Sequence, residues 1–218
     1  MRSLPGRPVA VTLALIASAW AFLLLPPQQL AFSGAYAMPR WLFELDRLAG
    51  YDGVREALAA LGWSDFYLVF GAAAALSFLL IWFATGPAFA ALGWSGRVLG
   101  GLVLFGGVVT VLSYLNHPAD APLRWIWGGE AFVLMAVGVW ALVVAFVAPR
   151  DASIPRWERI LLGLTLPILV AATLLLSYWP HGTLVGLGLE AAALAAWGAR
   201  ADAPTVARAD EPKAVAAR

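Results

Sequence analysis

The chain's only two histidines fall in one repeated phrase. Leu112-Ser113-Tyr114-Leu115-Asn116-His117 and Leu176-Ser177-Tyr178-Trp179-Pro180-His181 both read L-S-Y-x-x-H. Each phrase is followed by a carboxylate inside a second repeated phrase. These are Glu130-Ala131-x-x-Leu134-x-Ala136 and Glu190-Ala191-x-x-Leu194-x-Ala196. Leucine and alanine matches are cheap in so apolar a chain, but matched histidines and glutamates are not. The pattern predicts a hairpin repeat, with the His-to-Glu spacing absorbed by the loops.

Imidazole exchanges protons near neutral pH and ligates metals. Two histidines with carboxylates suit zinc, iron or manganese, which makes His117, His181 and Glu130 the candidate ligands. Depth argues against such a centre. Glu190 lies well below His181 on a regular helix, whereas metal–ligand distances are only about 2.0–2.2 Å. No metal and no cofactor are therefore expected. The expected arrangement is a hydrogen-bonded cluster of His117, His181, Tyr114, Tyr178 and Glu130, with Arg124 beside it. Glu190 stands apart, near mid-membrane. A carboxylate there costs about 2.5–3.5 kcal/mol or more unless paired, protonated or hydrated, so it is the first candidate for a proton or ligand site. The competing reading is a neutral glutamate that holds helices together. Glu130 also reads as an acid favoured by a helix N-terminus. Asp65, after Ser64, reads as an ordinary N-cap.

The elements that must position these residues are apolar. Of 218 residues 62% are hydrophobic and 12% charged, with a mean hydropathy of +0.81. A water-soluble domain of this length could not bury that much apolar surface. Six runs are long enough to cross a bilayer, which takes roughly 20 residues. They cover 8–25, 65–84, 98–115, 127–148, 159–178 and 182–199. The polar or Pro/Gly-rich segments LPPQQ, TGPAF, NHPADAP, APRDASIP and WPHG end the first five. Pro167 predicts a kink in the fifth. Gly182 with Gly186, and Gly100, Gly101, Gly106 and Gly107, predict close helix contacts. The fold class is thus an all-α integral membrane bundle of six helices. Its third and fourth spans repeat as the fifth and sixth, in parallel.

Lys and Arg set the orientation. With the N-terminus inside, ten of the 14 basic residues fall on inner segments and four outside, which predicts both ends in. The first run also resembles a signal peptide with a cleavage site at Ala17-Ser18-Ala19. Its apolar stretch continues beyond that site, which favours a retained span. Residues 1–199 form the membrane domain. The outer loop 26–63 is expected to fold into two short amphipathic helices broken between Gly50 and Gly53. Trp41, Leu42, Leu45 and Leu48 would share a face lying on the outer membrane surface, or would form a lid. Residues 200–218 read as a disordered cytoplasmic tail.

The 218 residues include no cysteine, which excludes disulfides and thiolate chemistry. The net charge is +1, with no basic stripe and no nucleic-acid motif. No phosphate loop, nucleophile elbow or zinc-protease motif is present. The expected location is a bacterial inner or plasma membrane. The expected partners are the lipid bilayer, together with a second copy or a larger membrane complex. Two functions fit equally: a small transporter or lipid- or small-molecule-binding protein, and a non-catalytic subunit or assembly factor. A membrane enzyme using the His/Glu cluster as acid and base comes third.

Overall fold

The computed structural model describes residues 7–34, 38–48, 50–147, 156–176 and 180–198, and no strand occurs among them. Ten α-helices follow in chain order: α1 (Arg7–Ser33), α2 (Arg40–Leu48), α3 (Tyr51–Ala60), α4 (Phe66–Ala73), α5 (Ala75–Ala91), α6 (Gly93–Leu115), α7 (Gly129–Val147), α8 (Arg156–Gly163), α9 (Thr165–Leu176) and α10 (His181–Gly198). Four stretches are long and apolar enough to cross a membrane: Pro8–Ser33, Phe66–Ala91, Gly93–Leu115 and Arg124–Val147. Helices α8 and α9 make a fifth if the pair, bent by 51°, counts as one span. The apolar part of α10, His181–Ala196, is shorter. Phe132, Phe146, Leu174 and Leu175 point away from the bundle, as side chains that meet lipid do. The apolar helices are those of a helical membrane protein.

Helix α1 packs along α10 and also touches α4 and α5, while α6 and α7 continue the bundle and α9 closes it between α7 and α10. Small residues set the tightest contact. Ala14, Ala17 and Ala21 bury on α1, and a Cβ on Gly188 would stand 2.8 Å from the Ser18 backbone nitrogen. Gly186 approaches Ala172 in the same way, and Gly106 makes room for the Phe78 ring. Gly101 has open space beside it and makes no such contact.

Prolines are placed differently from the sequence expectation. The LPPQQ segment does not end the first helix: Pro26 and Pro27 lie inside α1, which runs on to Ser33. A helical carbonyl needs an N–H three or four residues on, and for Leu23 both of those residues are proline. The Tyr51 hydroxyl, from α3, donates to the Leu23 carbonyl instead. TGPAF likewise fails to end the second span, since Pro87 lies inside α5. The fifth run does bend near Pro167, by 51°. It breaks at Leu164, and Pro167 is the third residue of α9. A proline there has no intrahelical partner to lose, and its ring excludes the carbonyl four residues back, Gly163, so the chain parts just upstream.

In the loop, α2 and α3 are separated at Gly50, whose φ of 72° favours glycine. Leu42 buries against Leu25 and Met38, and Trp41 stacks on Phe22 at 6.4 Å. Leu48 leaves the expected face and is exposed, whereas Asp46 is buried. The reason is an ion pair: Arg55 reaches Asp46 at 2.5 Å and Asp52 at 2.9 Å. Burial pulls the Arg55 guanidinium down, but its hydrogen bond to Asp46 and that residue's charge hold it above its ordinary value. Burial, then the charge of Asp46, push the Tyr51 phenol up.

Candidate functional site

Polar groups gather at two levels. The first is the end of the bundle where α6 stops and α4, α7 and α10 begin. Asn116 caps α6 with a hydrogen bond to the Leu112 carbonyl and accepts from the Leu123 N–H, which folds the 117–123 turn back over the helix end. That turn holds His117 half-buried. Its Nδ1 donates to the Tyr114 carbonyl at 2.7 Å, and its Nε2 lies 3.2 Å from Asp65. Asp65 caps α4 by accepting from the Leu68 N–H, so one carboxylate serves both the helix and the histidine. Arg124 donates to the His117 carbonyl and lies 3.9 Å over the Trp127 ring.

Aromatic rings connect this surface to the interior. Tyr67 meets Phe32 at 5.7 Å, His117 at 5.0 Å and Tyr114 at 5.1 Å. Tyr114 is buried against Gly71, where a side chain would leave no room for its ring, and lies 6.4 Å from His181. His181 is fully buried and its Nε2 donates to the Phe70 carbonyl at 3.4 Å. The two histidines therefore belong to one chain of rings but not to equivalent places. His117 follows the end of α6 near the surface, and His181 is the first residue of α10 in the interior. The glutamates differ too, Glu130 being second in α7 and Glu190 tenth in α10. Glu130 is buried beside Ser113, whose hydroxyl also accepts from the Gly128 N–H at 2.8 Å. Tyr178 lies outside the described residues.

Beside His117 opens a pocket of about 300 Å³, lined by Ala31, Phe32, Tyr67, His117 and Trp127. The Trp127 indole N–H donates to the Tyr67 hydroxyl at 3.2 Å across its wall. The pocket is shallow and open, with aromatic walls and few polar groups, the residue types that small-molecule recognition uses. Phe32, Tyr67 and Trp127 were not singled out as site residues by the sequence, in which Trp127 reads only as one of the interfacial tryptophans. Their signal was faint: each sits within three residues of a helix end, as aromatic residues at membrane interfaces do without any site, and only Tyr67 and Trp127 lie close in sequence to polar candidates.

The second level is deeper. Glu190 lies about 13 Å further along α10 than His181 at roughly 1.5 Å per residue, so the two cannot share a ligand. Its Oε1 is 2.6 Å from Thr165 Oγ1, and its Oε2 has no hydrogen-bond partner among the described residues. Thr165 is the first residue after the break between α8 and α9, so the break aims its hydroxyl at the acid. Glu190, Thr165 and Thr85 are the polar lining of a small cavity whose other walls are apolar side chains such as Phe89, Val137 and Leu162. The space open to the centre of a water-sized sphere is about 10 Å³, room for a single water. Among the described residues no three His, Asp or Glu side chains gather closely enough to hold a metal.

No family model matches this chain, and neither a curated protein nor a solved structure is significantly similar to it. The class defined by fold and composition is therefore that of a helical, multi-pass membrane protein, and its activity has to be read from the two polar levels alone.

Proposed function

We propose that this protein binds a small amphipathic molecule or lipid at the outer face of an inner or plasma membrane, in the manner of a small transporter or binding protein. In this reading the chain crosses six times, with α8 and α9 as one broken crossing and α10 as the last. The excess of Lys and Arg on the opposite side puts the His117 end outside. The observation that carries the reading is the pocket of about 300 Å³ between Phe32, Tyr67, His117 and Trp127. Its rings offer flat apolar contact, and the paired His117 and Asp65 offer polar contact at its edge. A molecule with an apolar body and a polar head fits that division.

The test is thermal unfolding of purified protein against a panel of lipids and amphipathic small molecules. A ligand at 100 times its Kd adds about 2.7 kcal/mol of stability. At least one compound is expected to raise the unfolding temperature, and a Tyr67→Ala/Trp127→Ala variant is expected to lose that response. A response that survives in the variant places the ligand elsewhere. No response from any compound favours the non-catalytic-subunit reading.

A further inference from the structure

Thr165 Oγ1 lies 2.6 Å from Glu190 Oε1 and 2.9 Å from the Leu162 carbonyl. A hydroxyl carries one hydrogen, and a carbonyl can only accept. If Thr165 donates to Leu162, its contact with Glu190 is a hydrogen bond only when the carboxyl brings a hydrogen of its own. If Thr165 donates to a carboxylate, the Leu162 carbonyl loses that donor, and a full negative charge stays in an apolar interior. Among the described residues no other titratable or charged side chain lines the cavity from α5, α6, α7, α8, α9 or α10. On α1, the Ser18 hydroxyl donates to the Val185 carbonyl of α10, and the other buried polar side chains of α1, Gln28 and Gln29, carry no charge. Only the neutral acid satisfies both contacts without an unpaired charge.

We propose that Glu190 is a proton-binding site inside the bundle. The acid donates from Oε1 to Thr165 Oγ1, Thr165 donates onward to the Leu162 carbonyl, and Oε2, without a partner among the described residues, is left for the water the cavity has room for. The ligand is a proton, exchanged through that water. The cavity's third polar group, Thr85, already donates to the Ile81 carbonyl at 2.8 Å, so its oxygen is left as an acceptor for the water. The broken span is what makes the site, because an unbroken helix would tie up the backbone at Leu162 and turn Thr165 elsewhere. The inference stands on this geometry and does not depend on a ligand at the outer pocket.

Infrared difference spectra of wild type and Glu190→Gln, in liposomes near neutral pH, test it directly. Wild type is expected to show the carbonyl stretch of a protonated carboxyl that is missing from Glu190→Gln. The band should shift down in D2O as the proton exchanges. In Thr165→Val it should move up toward the position of an acid without a hydrogen-bond acceptor. Loss of carboxylate bands instead of a carbonyl band in Glu190→Gln would show an ionised group and overturn the proposal. So would a band that never shifts in D2O, since no proton then exchanges. A band that disappears when sodium chloride replaces choline chloride would make the site a metal-cation site. If Glu190→Gln fails to fold, the Thr165→Val shift still decides: an unmoved band means that Thr165 does not accept from the acid.

Discussion

Two acids of this chain are almost equally hidden and are handled in opposite ways. Asp46, in the α2–α3 loop, is 3% exposed and Glu190, in α10, is 5% exposed. Asp46 is met by a guanidinium at 2.5 Å, while Glu190 is met only by a hydroxyl. The loop keeps a charge and neutralises it with a partner. Among the described residues no cation lies within reach of Glu190, and in the proposal above the acid itself gives up its charge. Burial alone therefore does not define an acid's chemistry; what lies within hydrogen-bond reach does.

The sharpest way to break this contrast is Glu190→Lys. It puts a cation where no acid waits and is expected to cost several kcal/mol, enough to prevent recovery of monodisperse protein in size-exclusion chromatography. Arg55→Met comes next. Removing one partner of a buried pair leaves Asp46 uncompensated, at about 3 kcal/mol by thermal or denaturant unfolding. Thr165→Val removes the one hydrogen-bonding partner of Glu190 and is expected to cost about 1–3 kcal/mol in the same assay. Glu190→Gln replaces a neutral group by a neutral one of the same shape and should change stability by less than about 1 kcal/mol. If it instead destabilises as much as Arg55→Met, the two acids are alike after all. The smallest effect is one of pH. The Tyr51 phenol is pushed above the ordinary 10.0, so its neutral form is favoured in the fold. That contribution is complete below pH 10.0 and is lost as the pH rises past it. Proteolysis of the α2–α3 loop should quicken over that range in wild type, with Tyr51→Phe removing the pH dependence.

The helical membrane class was legible from runs of apolar residues, because a spanning helix is a property of local composition. Helix ends were less so. Pro26, Pro27 and Pro87 look like stops, yet the chain continues through them, and in the first case the compensating donor is Tyr51, far along the sequence. The break at Leu164 was displaced from Pro167 for a local reason that the position of a proline in a first turn explains. His117, Tyr114 and Arg124 lie at one end, Asp65 caps its helix there and also meets His117, and Glu190 lies apart from them. The pocket walls Phe32, Tyr67 and Trp127 were hidden among many interfacial aromatics. Thr165 was hidden because nothing in a sequence says which threonine will face an acid across a helix pair. The two histidines of the repeated L-S-Y-x-x-H phrase lie in different surroundings, one after the end of a helix and one at the start of another.

The bond from Tyr51 to the Leu23 carbonyl spans 28 residues, and it has a consequence for the order of synthesis. The chain emerges from its N-terminus, so Leu23 leaves the ribosome before Tyr51 does. During that interval the carbonyl opposite Pro26 and Pro27 has no donor from its own helix. The first span is completed only when a later part of the nascent chain returns to it, which makes α3 a clasp closed after the helix it fastens.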